Sequence, residues 1–378
     1  MKVLSSAGFL AGGVAIGILL GKGPMSSDTD SRQGSDSVSG NVRSTGSGRS
    51  SASDSASSGV NAIRQAAPDK LASLTKQAVS MADPVEIQRL LAECLLHMTA
   101  ENWRDVVASF NQISLTTGRD PGNEWKLALF RSGQVAGAEA MDSYLDGDLT
   151  KNRSTQCWQT LYGWGSKDPQ AALAWLKKAE ADGHKTSNEL YSAVIAGTAL
   201  NNPQDALKLL DEIPAERRKN CAGNLVWNVV QNGGTDALDP LLQYASSLDA
   251  SNGNNETLAE GLFYEATEKL LWKADHARDV PQACEVIAKL GQYGRDPNEA
   301  TGAALQKFRW YVIPDKLNLL ETVSAGPRGS DLELASFTSR VLSTMNGDKD
   351  VAAVAEWMKQ HPDSPLIPHL SKRIKGGQ

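Results

Sequence analysis

The amino-acid sequence predicts an all-α protein, and three observations support this prediction. A motif of about 34 residues recurs along the chain. Within each copy, apolar residues follow the period of a helix. The polar and apolar alternation of a half-buried strand is never sustained. We therefore expect a right-handed α-solenoid of about eight helix hairpins, preceded by one N-terminal transmembrane helix and a disordered linker.

The N-terminal segment has the length and composition of a membrane anchor. Residues 3–21 contain no charged side chain and lie between Lys2 and Lys22. Nineteen helical residues cover a bilayer core of about 30 Å. No convincing small-x-small cleavage site follows, so residues 1–23 are predicted to be a retained anchor. The predicted location is the inner (plasma) membrane, with the helical body outside the cytoplasm. Secretion after signal cleavage is the alternative.

The same segment offers a route to a homodimer. Gly8, Gly12, Gly13, Gly17 and Gly21 form three overlapping G-x-x-x-G pairs, a spacing that lets two membrane helices approach closely. Glycine is also common in membrane helices that do not dimerise. Both interpretations stay open.

A serine-rich linker is predicted over residues 24–66, followed by a helical-repeat domain over residues 67–378. Residues 26–58 contain fourteen serines and almost no apolar side chains, which favours a flexible tether. Residues 1–67 carry a net charge of +2, which leaves −8 for the remainder of a chain whose total is −6. An acidic body argues against a nucleic-acid partner.

The repeat is clearest where "SKDPQAALAW" is followed by "NNPQDALKLL". Asp168 and Asn202 are predicted N-caps, and Pro169 and Pro203 take the first helical position, which needs no N–H. The second helices of the predicted hairpins begin near residues 169, 203, 240, 281, 314 and 351.

Longer apolar segments between these starts are predicted to be the first helices of the hairpins. Upstream, "DPVEIQRLLAECLLHM" with "NWRDVVASFNQI", and "GNEWKLALF" with "VAGAEAMDSYL", are interpreted as two earlier hairpins. "KLASLTKQAVSMA" and "SPLIPHLSKRI" are the predicted capping helices at the two ends of the domain.

The chain resembles the tetratricopeptide-type helical-repeat superfamily, and more closely bacterial membrane-anchored repeat proteins with a W-x-x-x-D-P-x-A-A-x-x-W pattern. "WGSKDPQAALAW" carries that pattern at residues 164–175. The prolines begin the second helices, whereas the tetratricopeptide pattern places its proline at the end of that helix. The resemblance therefore implies an architecture and no binding residues.

The sequence indicates no metal site, cofactor or catalytic motif. The chain has no phosphate loop, H-E-x-x-H or C-x-x-C motif. Two polar loops carry oxygen ligands of the kind that a hard cation takes, but both are typical of ordinary turns. Their residues are Asp146, Asp148 and Asn152, and Asn346, Asp348 and Asp350. The five histidines are dispersed, at His97, His184, His276, His361 and His369.

The four cysteines are predicted to be separate buried thiols. Cys94, Cys157, Cys221 and Cys284 lie 63, 64 and 63 residues apart, about two hairpins each. Helices pack about 8 to 10 Å apart, so sequence neighbours lie beyond the reach of a disulfide.

The nine tryptophans all lie after the linker. Filling the space between stacked hairpins is their expected role, and lining a recognition surface is the alternative. They are Trp103, Trp125, Trp158, Trp164, Trp175, Trp227, Trp272, Trp310 and Trp357.

The functional prediction is a membrane-tethered scaffold that binds a protein or peptide partner at the cell envelope, without enzymatic activity. The first alternative is an envelope enzyme acting on cell-wall glycan or peptide, which needs two carboxylates about 5 to 9.5 Å apart. The second is a self-assembling structural protein.

Overall fold

The computed structural model describes residues 59–117, 121–145, 154–233, 236–248, 253–308, 311–326 and 328–375. These residues form helices and connecting turns and contain no strand, which confirms the all-α prediction. No helix within these ranges combines the length and apolar character required to cross a bilayer. The predicted anchor, its five glycines and the linker up to residue 58 lie outside the described residues.

The chain divides into two compact units, the first ending at Thr186 and the second beginning at Ser187. The first unit contains α1 (Leu71–Val79), α2 (Pro84–Leu96), α3 (Trp103–Thr117), α4 (Gly122–Asp142), α5 (Ser154–Lys167) and α6 (Pro169–Ala181).

The second unit contains eleven helices within the described ranges. They are α7 (Asn188–Asn201), α8 (Pro203–Asp211), α9 (Ala215–Gly233), α10 (Asp239–Ser247), α11 (Gly253–Ala277), α12 (Val280–Gln292), α13 (Pro297–Lys307), α14 (Ile313–Ser324), α15 (Leu334–Leu342), α16 (Asp348–Gln360) and α17 (Ile367–Lys375). Short 3-10 turns occur before α1, α10 and α15.

Two of the predicted helix starts are formed by the expected caps, whereas the starts near residues 240, 314 and 351 have no side-chain cap. The Asp168 side chain accepts the backbone N–H of Ala171, and the Asn202 side chain accepts that of Gln204. Asp279 caps α12 in the same way. Each cap satisfies one of the N–H groups that a helix start leaves without an internal partner.

Two sequence predictions differ from the structure. The segments 122–130 and 135–145, predicted as a hairpin, form two helical stretches of α4 that meet at a kink at Ala136 (φ −140°, ψ 25°) and not at a turn. Ordered structure also begins before residue 67, because residues 59–64 are helical and Ile63 is 2% exposed in the core of the first unit. Burial of Ile63, with Val60 packed against the same core, stabilises this segment.

Glycines bring α4 and α5 unusually close together in the first unit. A Cβ atom on Gly133 would lie 1.9 Å from the carbonyl oxygen of Thr160, and one on Gly163 would lie 1.8 Å from that of Phe130. A Cβ on Gly137 would lie 2.4 Å from the Trp164 ring. The two backbones therefore touch where both helices lack a side chain.

The second unit is built from two layers of helices. In one layer, α7 contacts α9, α9 contacts α11, and α11 contacts α13. In the other layer, α8 contacts α10, α12 contacts α14, and α14 contacts α16. Each helix also contacts its neighbour in sequence at most of the turns. The apolar stripe of each helix is therefore covered by the helices beside it.

Hydrogen bonds link pairs of helices that have one other helix between them in sequence. Trp175 of α6 donates from Nε1 to Asp142 at the end of α4 over 2.8 Å, and Trp357 of α16 donates to Asn318 of α14 over 2.7 Å. The Tyr244 hydroxyl of α10 donates to Asp211 of α8. The partners are 33, 39 and 33 residues apart, close to the sequence repeat.

Replacing Gly133 or Gly163 by alanine is expected to destabilise the first unit by about 1–3 kcal/mol, because a Cβ cannot fit against the facing carbonyl without backbone movement. Urea unfolding followed by circular dichroism measures the effect.

Gly302→Ala in α13 is the matched control. The nearest atom to its added Cβ would be Cε1 of Phe337 at 3.8 Å, an ordinary contact. This variant should gain up to about 1 kcal/mol from helix propensity. Unchanged stability of Gly133→Ala and Gly163→Ala would show that the close approach of α4 and α5 is wrong.

Candidate functional site

A groove of about 790 Å³ crosses three helices of one layer in the second unit. Its walls come from α9, α11 and α13, together with Leu290 of α12 and the turn before α13. We call it the charged groove. Its lining residues are Lys219, Asn220, Gly223, Glu260, Gly261, Tyr264, Glu265, Thr267, Glu268, Leu290, Arg295, Asp296, Glu299, Ala300 and Ala303.

Two glycines let side chains of neighbouring helices cross the bottom of the charged groove. A Cβ on Gly223 of α9 would lie 3.1 Å from Cδ of Glu265, and a Cβ on Gly261 of α11 would lie 3.1 Å from Cγ of Lys219. Each glycine thus receives a long charged side chain from the opposite helix. Because these side chains lie flat against the backbone, the groove above them stays open.

The lining of the charged groove has more negative than positive side chains. It contains five carboxylates and two cations. Three of the carboxylates have cationic partners. Glu268 lies 2.6 Å from Lys307, Glu265 lies 3.6 Å from Lys269, and Glu299 lies 2.8 Å from Arg295. The other two are Glu260, which forms no ion pair with a described residue, and Asp296, whose side chain caps α13.

Two exposed aromatic residues lie on α11 beside these charges. Tyr264 is 63% exposed and Trp272 is 38% exposed. The other large apolar side chains that are exposed in the described part of the chain are not aromatic. Trp272 packs on His276 with ring centroids 3.9 Å apart and meets Trp227 at 5.3 Å. Tyr264 itself is one of the lining residues of the groove.

A second depression lies between α12 and α14. It has a volume of about 450 Å³ and an almost entirely apolar lining that includes Ile287, Ala288 and Val323. Cys284 lies in this wall, 7% exposed, and its Sγ donates to the carbonyl oxygen of Leu319 over 3.8 Å. Its surface carries few polar groups that would orient a ligand.

All four cysteines are buried thiols, as predicted from their spacing. Burial raises the pKa of Cys94, Cys221 and Cys284 to about 11 in each case. A thiol with so high a pKa stays protonated at neutral pH and is a poor nucleophile. The cysteines therefore act as small apolar side chains.

The other candidate ligands from the sequence do not converge. Within the described ranges, no group of three or more His, Cys, Asp or Glu side chains is placed to hold a metal ion. Asp350 accepts the backbone N–H of Asn346 over 2.6 Å, so it closes the turn before α16. His361 pairs with Glu321 over 2.7 Å and stacks on Trp357. The loop with Asp146, Asp148 and Asn152 lies outside the described residues.

The tryptophans divide between packing and surface roles. Trp103, Trp164 and Trp357 are buried, whereas Trp175 is half-buried with its Nε1 bonded to Asp142. Trp272 is exposed on α11, one turn after Glu268 of the charged groove. Trp310 lies outside the described residues.

Sequence reasoning did not single out Tyr264, although a signal was present. The buried stripe of α11 runs through Leu258, Leu262, Ala266 and Leu270, each four residues from the next. Tyr264 falls midway between two members of this stripe, which places it on the opposite side of the helix. A large aromatic side chain directed away from the buried face of a helix indicates a contact surface.

No protein-family model, curated protein or solved structure matches this chain.

Cys94, Cys221 and Cys284 are expected to resist iodoacetamide at pH 8 in the folded protein. With pKa values of about 11, roughly one thiol in a thousand is ionised at that pH. Mass spectrometry of alkylated protein, with and without urea, measures the protection.

The same pKa values make stability depend on alkaline pH. An unfolded thiol loses its proton near pH 8.5, whereas the folded thiols keep theirs to about pH 11. Below pH 8.5 the three thiols therefore contribute fully to the free energy of unfolding. As the pH rises from 8.5 to about 11, this contribution should be lost and the free energy of unfolding should fall. The triple variant Cys94→Ala/Cys221→Ala/Cys284→Ala should show a smaller fall. Rapid alkylation of the folded chain would contradict the burial.

Proposed function

We propose that this protein is a helical-repeat scaffold that binds a protein or peptide partner through the charged groove. The observation that carries the proposal is the groove itself, which offers about 790 Å³ of open space on three neighbouring helices. Tyrosine and tryptophan beside such a groove are typical of binding hot spots, because they bury a large area at a low cost in conformational entropy.

The charge arrangement of the groove suits recognition of a partner. Glu265, Glu268 and Glu299 each lie beside a Lys or Arg side chain. Partly exposed ion pairs of this kind contribute little to stability, so their charges stay available to an incoming group. Each carboxylate also has more acceptor positions than one cation uses.

The proposed architecture is a right-handed α-solenoid similar to the tetratricopeptide-type repeats. Three features support it: the recurring Pro and Asx helix starts, the two layers of helices in the second unit, and hydrogen bonds between residues 33 to 39 apart. In repeat folds of this kind, helices of one layer form an extended binding surface. The charged groove lies on one such layer.

The proposal places this scaffold at the cell envelope, held by residues 3–21 through the serine-rich linker. The uncharged stretch is long enough to span a bilayer. A flexible tether lets the groove search for its partner near the membrane surface and raises the local concentration of binding sites.

A photoreactive amino acid at position 303 should form a covalent adduct with the partner in living cells. Ala303 lines the charged groove on α13, so a bound partner lies within reach of this position. Mass spectrometry identifies the adduct. Ala303→Trp should then weaken binding of the purified partner at least tenfold, because the indole occupies the groove.

Position 306 provides the matched control. Gln306 lies on the same helix, is exposed and does not line the groove. The photoreactive residue at position 306 should give no such adduct, and Gln306→Trp should bind as the wild type does. The same adducts from positions 303 and 306, or none from position 303, would rule out the groove as the binding site.

The membrane tether predicts a fractionation result. The full chain should stay in the membrane pellet after alkaline carbonate extraction, and a chain lacking residues 1–23 should be soluble. Mass spectrometry of the mature N-terminus shows whether the segment is retained. A full-length chain released by carbonate would contradict the tether, and a mature N-terminus after residue 23 would support secretion.

A further inference from the structure

We infer that the charged groove binds a cationic peptide segment in extended conformation, with Lys or Arg at alternate positions. This inference rests on the proposed function and specifies the chemistry of the partner. It combines two independent features of the same surface, the excess of carboxylates in the groove and the exposed aromatic residues on α11.

Charge is the first feature. The lining has five carboxylates against two cations, and the carboxylates still exceed the cations when Lys269 and Lys307 at the rim are added. The Lys219 chain lies against Gly261, and Arg295 contacts both Glu299 and the Phe263 ring. The net negative charge of the lining therefore favours a cationic partner over an anionic one.

Exposed aromatic rings are the second feature. The unit already contains cations over aromatic rings, because Lys269 Nζ lies 5.6 Å from the Trp227 ring centroid and Arg295 Cζ lies 5.1 Å from that of Phe263. Tyr264 has no such cation in the described structure and is 63% exposed. A Lys or Arg side chain of the partner would form with Tyr264 the kind of cation–π contact that Trp227 and Phe263 already form within the unit.

Glu260, Tyr264 and Glu268 lie on successive turns of α11 and face the same side. Four residues of a helix rise about 6 Å. Alternate residues of an extended chain are about 6.6 Å apart and also face one side. A peptide that lies along α11 and has a basic residue at every second position would therefore place one basic side chain opposite each of these three turns.

The test uses a defined probe, a fluorescent ten-residue peptide of alternating Arg and Ser, with a Glu and Ser peptide for comparison. Fluorescence anisotropy with the full chain should show saturable binding of the Arg peptide and none of the Glu peptide. Tyr264→Ser should weaken binding about fivefold, the loss expected for one cation–π contact. This variant changes no charge, so it separates a specific contact from general attraction to an acidic protein.

Glu260→Gln should weaken binding by a similar factor, and Glu356→Gln is the matched control. Glu356 is exposed on α16 outside the groove, and its substitution changes the net charge equally. Both variants should unfold at the wild-type temperature. Wild-type affinity in Tyr264→Ser, or equal losses in Glu260→Gln and Glu356→Gln, would overturn the inference.

The two proposals can fail separately. A partner adduct specific to position 303, without binding of the Arg peptide, would leave the scaffold proposal intact and refute the cationic partner. Groove-dependent binding of the Arg peptide supports both.

Discussion

Packing of each helix against the helices beside it in the layers holds this protein together. A single apolar stripe cannot stabilise an isolated helix of nine to fourteen residues, the length of most helices here. Both units meet this constraint by arranging helices so that the stripe of one covers the stripe of the next. In α4 and α5 the contact is so close that Gly133 and Gly163 face carbonyl oxygens. All other features, including the open groove, depend on this regular packing.

Much of the fold could be predicted because its helix boundaries are local. An Asx side chain followed by proline satisfies the first N–H groups without help from distant residues, so Asp168 and Asn202 marked true helix starts. The hairpin predicted for the segment that forms α4 is a kinked helix instead. α4 does divide into two helical stretches, at Ala136, but local sequence does not distinguish a tight turn from such a kink.

The candidate site was less accessible to sequence reasoning. Tyr264 could have been recognised from its position opposite the buried stripe of α11. The groove could not, because it depends on Lys219, Glu265 and Glu299 coming together from three helices. Their proximity follows from the order of helices within a layer and from the lack of side chains at Gly223 and Gly261. Local patterns contain no information about such distances.

The hydrogen bonds from Trp175 to Asp142 and from Trp357 to Asn318 join partners that are only 33 and 39 residues apart in sequence. Each bond therefore depends on the length of the segment between its donor and its acceptor. Insertion or deletion of a helix within that segment would separate the two partners, whereas the same change elsewhere in the chain would leave the bond in place.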